Sequence, residues 1–182
     1  MVDVDAGEIS EFMRGLRQRR KFADERIPYE VMQDILEVAR WTGSAKNSQP
    51  WDLIVVRDRE ALRRLSDCGQ FAGFLAGVDV AIVIALHGYV RTAEIYDEGR
   101  ISERMMLIAD AYNLGSGTAW FGDETGQQLV KELLAIPAEW FVHSAVGFGY
   151  PDLDADDRPG VTLGRRPLMD VVSYERFGAR ES

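Results

Sequence analysis

Four basic residues fall within five positions near the start of the chain: Arg17, Arg19, Arg20 and Lys21. The apolar spacing before them predicts a helix over about Glu8–Arg20, on which Arg17 and Arg20 are three residues apart and face the same way. Two guanidinium groups directed at one spot suit a phosphate, which each can bind through two hydrogen bonds. The alternative is a solvated charge run at a helix C-terminus, and for this segment alone that interpretation is favoured.

A second pair of arginines, Arg165 and Arg166, precedes the segment PLMDVV far along the chain. Taken alone, this pair also fits an ordinary solvent-exposed surface. The chain as a whole is acidic, with a formal net charge of −9 and a pI near 4.8. Two arginine pairs in such a chain support the hypothesis of one shared anion site, whereas the overall charge argues against a general nucleic-acid-binding protein.

The segment TGSAKNSQPW (42–51) follows a predicted helix and is unusually polar for a connection into a strand. Ser44, Asn47 and Gln49 supply hydrogen-bond donors and acceptors, Lys46 supplies a cation, and Pro50 restricts the backbone at the exit. These groups suit the ring edge and the hydroxyl-bearing chain of a flavin. An ordinary loop with an Asx-type turn is the alternative, and the spacing alone does not exclude it.

The segment NLGSGTAWFGD contains Gly115, Gly117 and Gly122, which allow backbone N–H groups to approach a ligand closely. A helix C-cap at Gly115, followed by a tight turn into a strand, is the alternative interpretation. The later segment GFGYP lacks the third glycine and the following helix of a dinucleotide-binding fingerprint.

Conventional catalytic motifs are missing from the sequence, which has no HExxH, GxSxG or P-loop pattern. The two histidines, His87 and His143, each lie in or beside an apolar segment and are interpreted as core or surface residues. The acidic residues of the 95–114 helix, among them Glu98, lack a partner histidine in the sequence, so no metal site is expected. Any chemistry is therefore expected to reside in a bound cofactor.

The elements that must position these residues alternate along the chain. Short strands are predicted at Trp51–Val56, at Val80–Leu86 and within Trp140–Pro151, and Gly117–Gly122 is predicted to be a short strand or a turn, which gives three or four strands. Helices are predicted after Pro28, at REALRRLSDC, over Ile95–Leu114 and at QQLVKELLAI, and the Ile95–Leu114 helix is apolar on more than one face and so is expected to be central. An acidic surface loop is predicted at DLDADDRPG. This alternation predicts an α+β layered domain.

Composition limits the class of protein. With 182 residues, 46% of them hydrophobic and 28% charged, the chain is expected to form a single domain over residues 1–182. Cys68 is the only cysteine, which excludes an intrachain disulfide and fits a reducing cytoplasm. The acidic start MVDVDAGEIS argues against a signal peptide, and the apolar window 71–90 is interpreted as containing a buried strand rather than a membrane span.

Taken together and in order, these segments resemble the FMN-dependent nitroreductase family from about Met13 to Phe177. The segments that carry the resemblance are RQRRKF, a proline-started helix, GSAKNSQPWDLIVV, MMLIADAYNLGSGTAWFG, VGFGYP and GRRPL. The resemblance implies an α+β fold with a central, mostly antiparallel sheet flanked by helices. It also implies an intertwined homodimer that binds FMN at two equivalent sites on the subunit interface.

The resemblance further implies a role for individual residues. Arg17 and Arg20 would hold the FMN phosphate with Gln18 beside them, and Arg165 would close on the same phosphate from the C-terminal segment. Ser44, Ala45, Lys46 and Asn47 would line the flavin from the partner subunit. Gln70 would lie near the ring or the ribityl chain, and the backbone of Gly122 and Asp123 would approach the N5/O4 edge.

The function implied is hydride transfer from NADH or NADPH, through flavin N5, to a nitro compound, a quinone or a similar small acceptor in a ping-pong reaction. No catalytic side chain, nucleic acid or membrane partner is expected. Two alternatives stay open at this point. One is a specialised flavin or deazaflavin dehydrogenase or reductase on the same fold, and the other is a non-enzymatic flavin-binding dimer.

Overall fold

The computed structural model describes residues 5–155 and 164–180, which form six helices and four strands. The helices are α1 (Ala6–Gly15), α2 (Tyr29–Arg40), α3 (Arg59–Ser66), α4 (Arg91–Ala111), α5 (Glu124–Leu134) and α6 (Leu168–Val171). The strands are β1 (Trp51–Val56), β2 (Val80–Leu86), β3 (Gly115–Trp120) and β4 (Ser144–Gly149). Short 3-10 helices occur at Ala45–Asn47 and Gly73–Gly77. Residues 156–160 of the predicted DLDADDRPG loop lie outside the described residues.

The four strands form one sheet in the order β1-β2-β4-β3, and every neighbouring pair is antiparallel. Trp51 lies opposite Leu86 at one end of the β1–β2 pair, and Trp120 lies opposite Ser144 at the end of the β3–β4 pair. The prediction of an α+β fold with a mostly antiparallel sheet is confirmed. In this order β1 and β3 are the two edges of the sheet.

Helices cover both faces of the sheet, and all seven residues of β2 are buried between them. Because side chains alternate along a strand, Ile82 and Ile84 pack with α2 and α4, whereas Ala81 and Val83 pack with α3 and α5. Helix α4 has eight buried residues, three of them acidic, which confirms that it is central. Within the described residues, no helix has the length and apolar character needed to cross a bilayer.

The predicted first helix is too long at its C-terminal end, because α1 stops at Gly15. Leu16 has extended backbone angles (φ −53°, ψ 128°), and the Arg19 N–H donates a 2.7 Å hydrogen bond to the Ser116 carbonyl. The chain therefore runs non-helically along the outer edge of β3, where a backbone hydrogen bond to the sheet replaces further helical turns. The expectation that Arg17 and Arg20 share a helical face is wrong for this reason.

Candidate functional site

A cavity of about 630 Å³ brings three of the predicted site residues together: Arg17, Gln18 and Arg165. Arg17 and Gln18 reach it from the segment after α1, and Arg165 reaches it from the segment before α6. Glu103 and Met106 of α4 form another part of its lining. Arg14 also lines the cavity, so three guanidinium groups and one carboxylate leave it with an excess of positive charge, in contrast to the net acidic chain.

Local contacts hold the first arginine in place. The Arg17 Nη1 donates to the carbonyl oxygens of Arg14 and Leu16 at 2.8 and 2.7 Å, two groups that the end of α1 leaves without helical partners. A guanidinium group has five N–H donors, so these two bonds use only one of its nitrogens. The remaining donors are available for an anion in the cavity.

The exposed Gln18 side chain is held against the sheet by a hydrogen bond. Its Oε1 accepts a 3.2 Å hydrogen bond from the Thr118 backbone N–H on the outer edge of β3. Arg20 lies elsewhere: its guanidinium carbon sits over the Phe74 ring, 5.9 Å from the ring centre. The structure thus brings Arg17, Gln18 and Arg165 to one cavity and directs Arg20 to a different neighbour.

A second cavity, of about 560 Å³, brings together Gln70, Gly122 and Asp123. Gly122 has a φ of +69°, a backbone conformation that glycine adopts without strain, and a Cβ built on it would meet nothing within 4 Å. The Gly122 backbone therefore faces open space. The Asp123 carboxylate does not point freely into this space, because it caps α5 by accepting from the Gly126 N–H at 3.0 Å.

The floor of the second cavity is built from backbones in close approach. A Cβ on Gly69 would lie 2.3 Å from the Trp120 carbonyl oxygen, and one on Gly126 would lie 2.1 Å from the Phe121 carbonyl oxygen. Both positions therefore require glycine. Cys68 also lines the cavity, and desolvation raises the pKa of its thiol above the ordinary value. A neutral, buried thiol of this kind is a poor nucleophile.

The predicted flavin-facing loop contains a 3-10 turn with an unusual backbone. Lys46, Asn47 and Gln49 have φ values of 54°, 55° and 47°, which lie in the left-handed region that side chains disfavour. The Ser44 Oγ accepts a 2.8 Å hydrogen bond from the Gln49 N–H across the turn. Strain of this kind persists only where surrounding contacts impose it, and it concentrates at binding sites.

Contacts with α4 impose part of that geometry and were not found from the sequence. The Arg100 Nη1 donates a 2.5 Å hydrogen bond to the Gly43 carbonyl at the start of the loop. The buried Asp97 carboxylate holds the same nitrogen of Arg100 at 3.1 Å. These residues are 57 and 54 positions from Gly43, a separation at which sequence spacing carries no signal.

The two halves of the predicted site lie at opposite edges of the sheet. The Ser44–Asn47 loop leads into β1, whereas Arg17 and Gln18 run along β3. With the order β1-β2-β4-β3, three strand spacings separate the two edges, a width of roughly 14 Å. Within one chain, the loop and the Arg17 segment therefore belong to different edges of the sheet.

Glu98 has a histidine partner that sequence spacing did not reveal. The buried Glu98 carboxylate contacts the His143 Nδ1 at 3.1 Å, and these residues are 45 positions apart. The interpretation of His143 as a core residue agrees with its 5% exposure. Across residues 5–155 and 164–180, no group of three or more His, Cys, Asp or Glu residues could hold a metal ion.

Comparison with known proteins identifies the class to which this α+β fold belongs. A family model described as "Nitroreductase family" matches residues 14–68. An Archaeoglobus fulgidus protein named "Putative NADH dehydrogenase/NAD(P)H nitroreductase" is 36% identical over 154 residues, which cover 78% of this chain and 87% of the relative. The chain therefore belongs to the nitroreductase family.

Solved structures share the fold over most of its length. An FMN-dependent nitroreductase from Clostridium difficile R20291 superposes with a TM-score of 0.80 at 26% identity, covering 91% of this chain and 98% of that one. The NADPH:FMN oxidoreductase from Vibrio harveyi, solved with NAD+, has a TM-score of 0.80 at 19% identity, covering 94% of this chain and 79% of that one. At 19% identity, the similarity to the Vibrio harveyi structure shows a shared fold and nothing further.

Proposed function

We propose that this protein is an FMN-dependent oxidoreductase that transfers hydride from NADH or NADPH to a small acceptor such as a nitro compound or a quinone. The observation that carries the proposal is the cavity in which Arg17, Gln18 and Arg165 meet, although Arg165 is almost 150 positions from the other two. The FMN-dependent nitroreductase and the NAD(P)H nitroreductase among its relatives support the same assignment.

The donor set of the first cavity fits a phosphate. Arg17 and Arg165 offer guanidinium forks, which match phosphate oxygens in geometry and charge, and Gln18 offers a side-chain amide beside them. Arg17 is already fixed against the end of α1, so little side-chain freedom would be lost on binding. We also propose Arg20 as a further phosphate ligand, although its guanidinium carbon lies 5.9 Å from the centre of the Phe74 ring.

The second cavity fits the edge of a planar ring. The backbone of Gly122 faces open space, so a ligand can approach the N–H groups of Gly122 and Asp123 without meeting a side chain. Gln70 would add a polar side chain from the opposite wall. Backbone N–H donors held in this way favour negative charge on the group that they contact.

A homodimer would complete the site. The Ser44–Asn47 loop and Arg17 lie at opposite edges of one sheet, so we infer that the loop serves the cavity of the partner subunit. The apolar side chains of α1 support this arrangement, because Ile9, Phe12 and Met13 are all exposed in the single chain. Met13 also borders an apolar groove of about 800 Å³ on α4. Such surfaces are typical of protein interfaces.

The chemistry divides between the cofactor and the chain. Bound FMN supplies the capacity to accept a hydride from NAD(P)H and to release it to a second substrate. The chain's own residues bind and orient: Arg17 and Arg165 neutralise the phosphate, and the Gly122 wall holds the ring edge. No side chain of the described residues is needed as a nucleophile.

The experiment that tests this function starts from the visible spectrum of the protein purified as expressed. We expect the absorption band of oxidised flavin, bleaching by NADH or NADPH under anaerobic conditions, and recovery on adding a nitroaromatic compound or a quinone. A flavin band that neither nucleotide bleaches would instead support a specialised flavin dehydrogenase. A protein that stays colourless and does not bind added FMN would contradict the proposal.

A further inference from the structure

A buried polar cluster lies between α4 and the sheet, outside both cavities. The Glu98 Oε1 accepts a 2.5 Å hydrogen bond from the Ser144 Oγ, and the Glu98 Oε2 lies 3.1 Å from the His143 Nδ1. All three residues are at most 5% exposed. A carboxylate so far from water is stable only when both oxygens are satisfied, and here each oxygen has one partner.

The arrangement gives the histidine a defined orientation. When Glu98 is ionised, its carboxylate only accepts hydrogen bonds, and in that state the His143 Nδ1 carries the hydrogen and donates it. Ser144 and His143 both donate to the carboxylate, so the serine is not positioned against the imidazole as a nucleophile would be. The geometry therefore suits holding the ring rather than catalysing acyl transfer.

The held ring contacts the end of β3. His143 stacks on the Trp120 indole with ring centres 5.4 Å apart and planes within 9°, and its other neighbour is Phe141 at 4.8 Å. In addition, the His143 carbonyl accepts a 2.8 Å hydrogen bond from the Phe121 N–H. His143 thus contacts both residues that lead directly into Gly122.

The backbone of Trp120 and Phe121 is also constrained by close contacts with two glycines. Gly69 packs against the Trp120 carbonyl and Gly126 packs against the Phe121 carbonyl, both too closely for a side chain. Phe121 itself is 1% exposed. The backbone ahead of Gly122 is therefore in close contact both with these two glycines and with His143.

We propose that Glu98 is a positioning residue for the Gly122 wall of the second cavity, acting through His143 and Trp120. The proposal rests on the function proposed above, because it gives this wall its role toward the flavin ring. Loss of the Glu98 charge frees the imidazole to turn, which loosens its stacking on Trp120. The strand end then loses side-chain support, so the backbone hydrogen bond from the Phe121 N–H to the His143 carbonyl opens more often. The wall then presents its N–H groups in a less defined geometry.

The test compares two buried carboxylates of the same helix. Glu98→Gln keeps the shape of the side chain but offers His143 an amide in place of a carboxylate. Glu94→Gln is the matched control, because Glu94 is equally buried yet caps the Gly88 and Val90 N–H groups instead. Amide hydrogen exchange at Phe121 and tryptophan emission are measured without added cofactor, and FMN affinity is measured by titration.

We expect Glu98→Gln to speed exchange at the Phe121 amide by roughly tenfold more than any change in global unfolding, the loss typical of one weakened hydrogen bond. Tryptophan emission should shift, and the dissociation constant for FMN should rise several-fold. Glu94→Gln should leave Phe121 exchange unchanged relative to global unfolding. Equal effects of the two variants on Phe121 exchange would overturn the proposal.

A second variant covers the case in which Glu98→Gln does not fold. Trp120 is 44% exposed, so Trp120→Leu is tolerable for folding while it removes the surface on which His143 stacks. It should speed Phe121 exchange by itself, and adding Glu98→Gln should then have little further effect, because both act through one contact. Additive effects would contradict the proposal. A parent protein that binds no FMN would refute the proposed function while leaving the exchange result interpretable.

Discussion

The side chain of Gln18 is hydrogen-bonded to the backbone of Thr118, with 3.2 Å between the Gln18 Oε1 and the Thr118 nitrogen. This contact extends the pairing of Arg19 with Ser116 along the outer edge of β3. Together the two contacts hold the segment after α1 against the sheet. Arg17 therefore reaches the cavity of Arg165 from a strand-like segment, not from a helix.

Gln18→Ala should lower the free energy of unfolding by about 1 kcal/mol, because the Thr118 N–H loses its protein acceptor at a partly hydrated edge. Gln128→Ala is the control, since the Gln128 amide donates to Glu132 on the exposed face of α5. Urea unfolding measures both, and FMN titration should show weaker binding for Gln18→Ala alone. Indistinguishable variants would argue against a role for this contact.

Neighbouring arginines of the C-terminal segment should differ in their effect on FMN. Arg165 lines the first cavity, whereas the Arg166 Nη2 donates to the Asp170 carbonyl at 2.6 Å. Arg165→Ala should weaken FMN binding by about 1.5–3 kcal/mol, the usual worth of a charge-assisted hydrogen bond, and Arg166→Ala much less. Arg17→Ala should resemble Arg165→Ala. The proposed phosphate site is wrong if all three variants retain parental affinity in a fluorescence titration.

Replacing Lys46 by glycine should relieve the left-handed backbone of the Ser44–Asn47 loop. Lys46 has a φ of 54°, so Lys46→Gly should raise the free energy of unfolding by up to about 1 kcal/mol. Lys131→Gly, within α5, should lower it by about 1 kcal/mol, because glycine is unfavourable in a helix. Thermal unfolding of the two variants measures the difference. A destabilised Lys46→Gly would show that the lysine side chain itself supports the loop.

The close approach of backbones beneath the second cavity predicts a large penalty at Gly69. Its Cβ would lie 2.3 Å from the Trp120 carbonyl oxygen, so Gly69→Ala should destabilise the fold by about 3 kcal/mol or more. Gly77→Ala is the control, because a Cβ there would meet nothing within 4 Å. Denaturant unfolding should separate the two clearly. Similar midpoints would indicate that the β3 end can shift to admit a side chain.

Glu37 should stabilise the protein in a pH-dependent way. Hydrogen bonds from Arg40 and from the Trp41 indole lower the Glu37 pKa from its ordinary value of 4.5 to about 2. Since the folded pKa lies below the unfolded one, the contribution is complete above pH 4.5 and is lost as the pH falls toward 2. Trp41 emission should follow the titration. Glu37→Gln should abolish this low-pH transition while leaving the fold intact.

Strands β1 and β2 were predictable because their residue types favour a buried strand over any other local structure. WDLIVV and VAIVIAL are apolar runs of strand length bounded by polar or turn residues, and β1 and β2 have the predicted bounds. The end of α1 was not predictable from the same patterns. Arginine and glutamine are good helix formers, so local preference favoured continuing the helix, whereas a hydrogen bond to Ser116, almost 100 residues away, decided otherwise.

The sequence was enough to predict which segments form the candidate site. It was not enough to predict the contacts that position them. The order of the arginine, polar-loop and glycine segments indicated the family, and Arg17, Gln18 and Arg165 do share a cavity. The pairing of Glu98 with His143, and of Arg100 with Gly43, arises from the packing of α4 against the sheet and the loop. Such contacts join residues whose separation in sequence carries no periodic signal.

The placement of the polar loop and Arg17 at opposite edges of one sheet predicts that two inactive variants can restore each other's activity. In the homodimer proposed above, a variant defective in the loop and a variant defective at Arg17 or Arg165 would damage different halves of each shared site. If unfolded together and refolded as a mixture, the two inactive proteins would form mixed dimers in which one of the two sites is wholly parental. Random reassortment should then restore about a quarter of parental activity, a complementation that no monomeric enzyme can show.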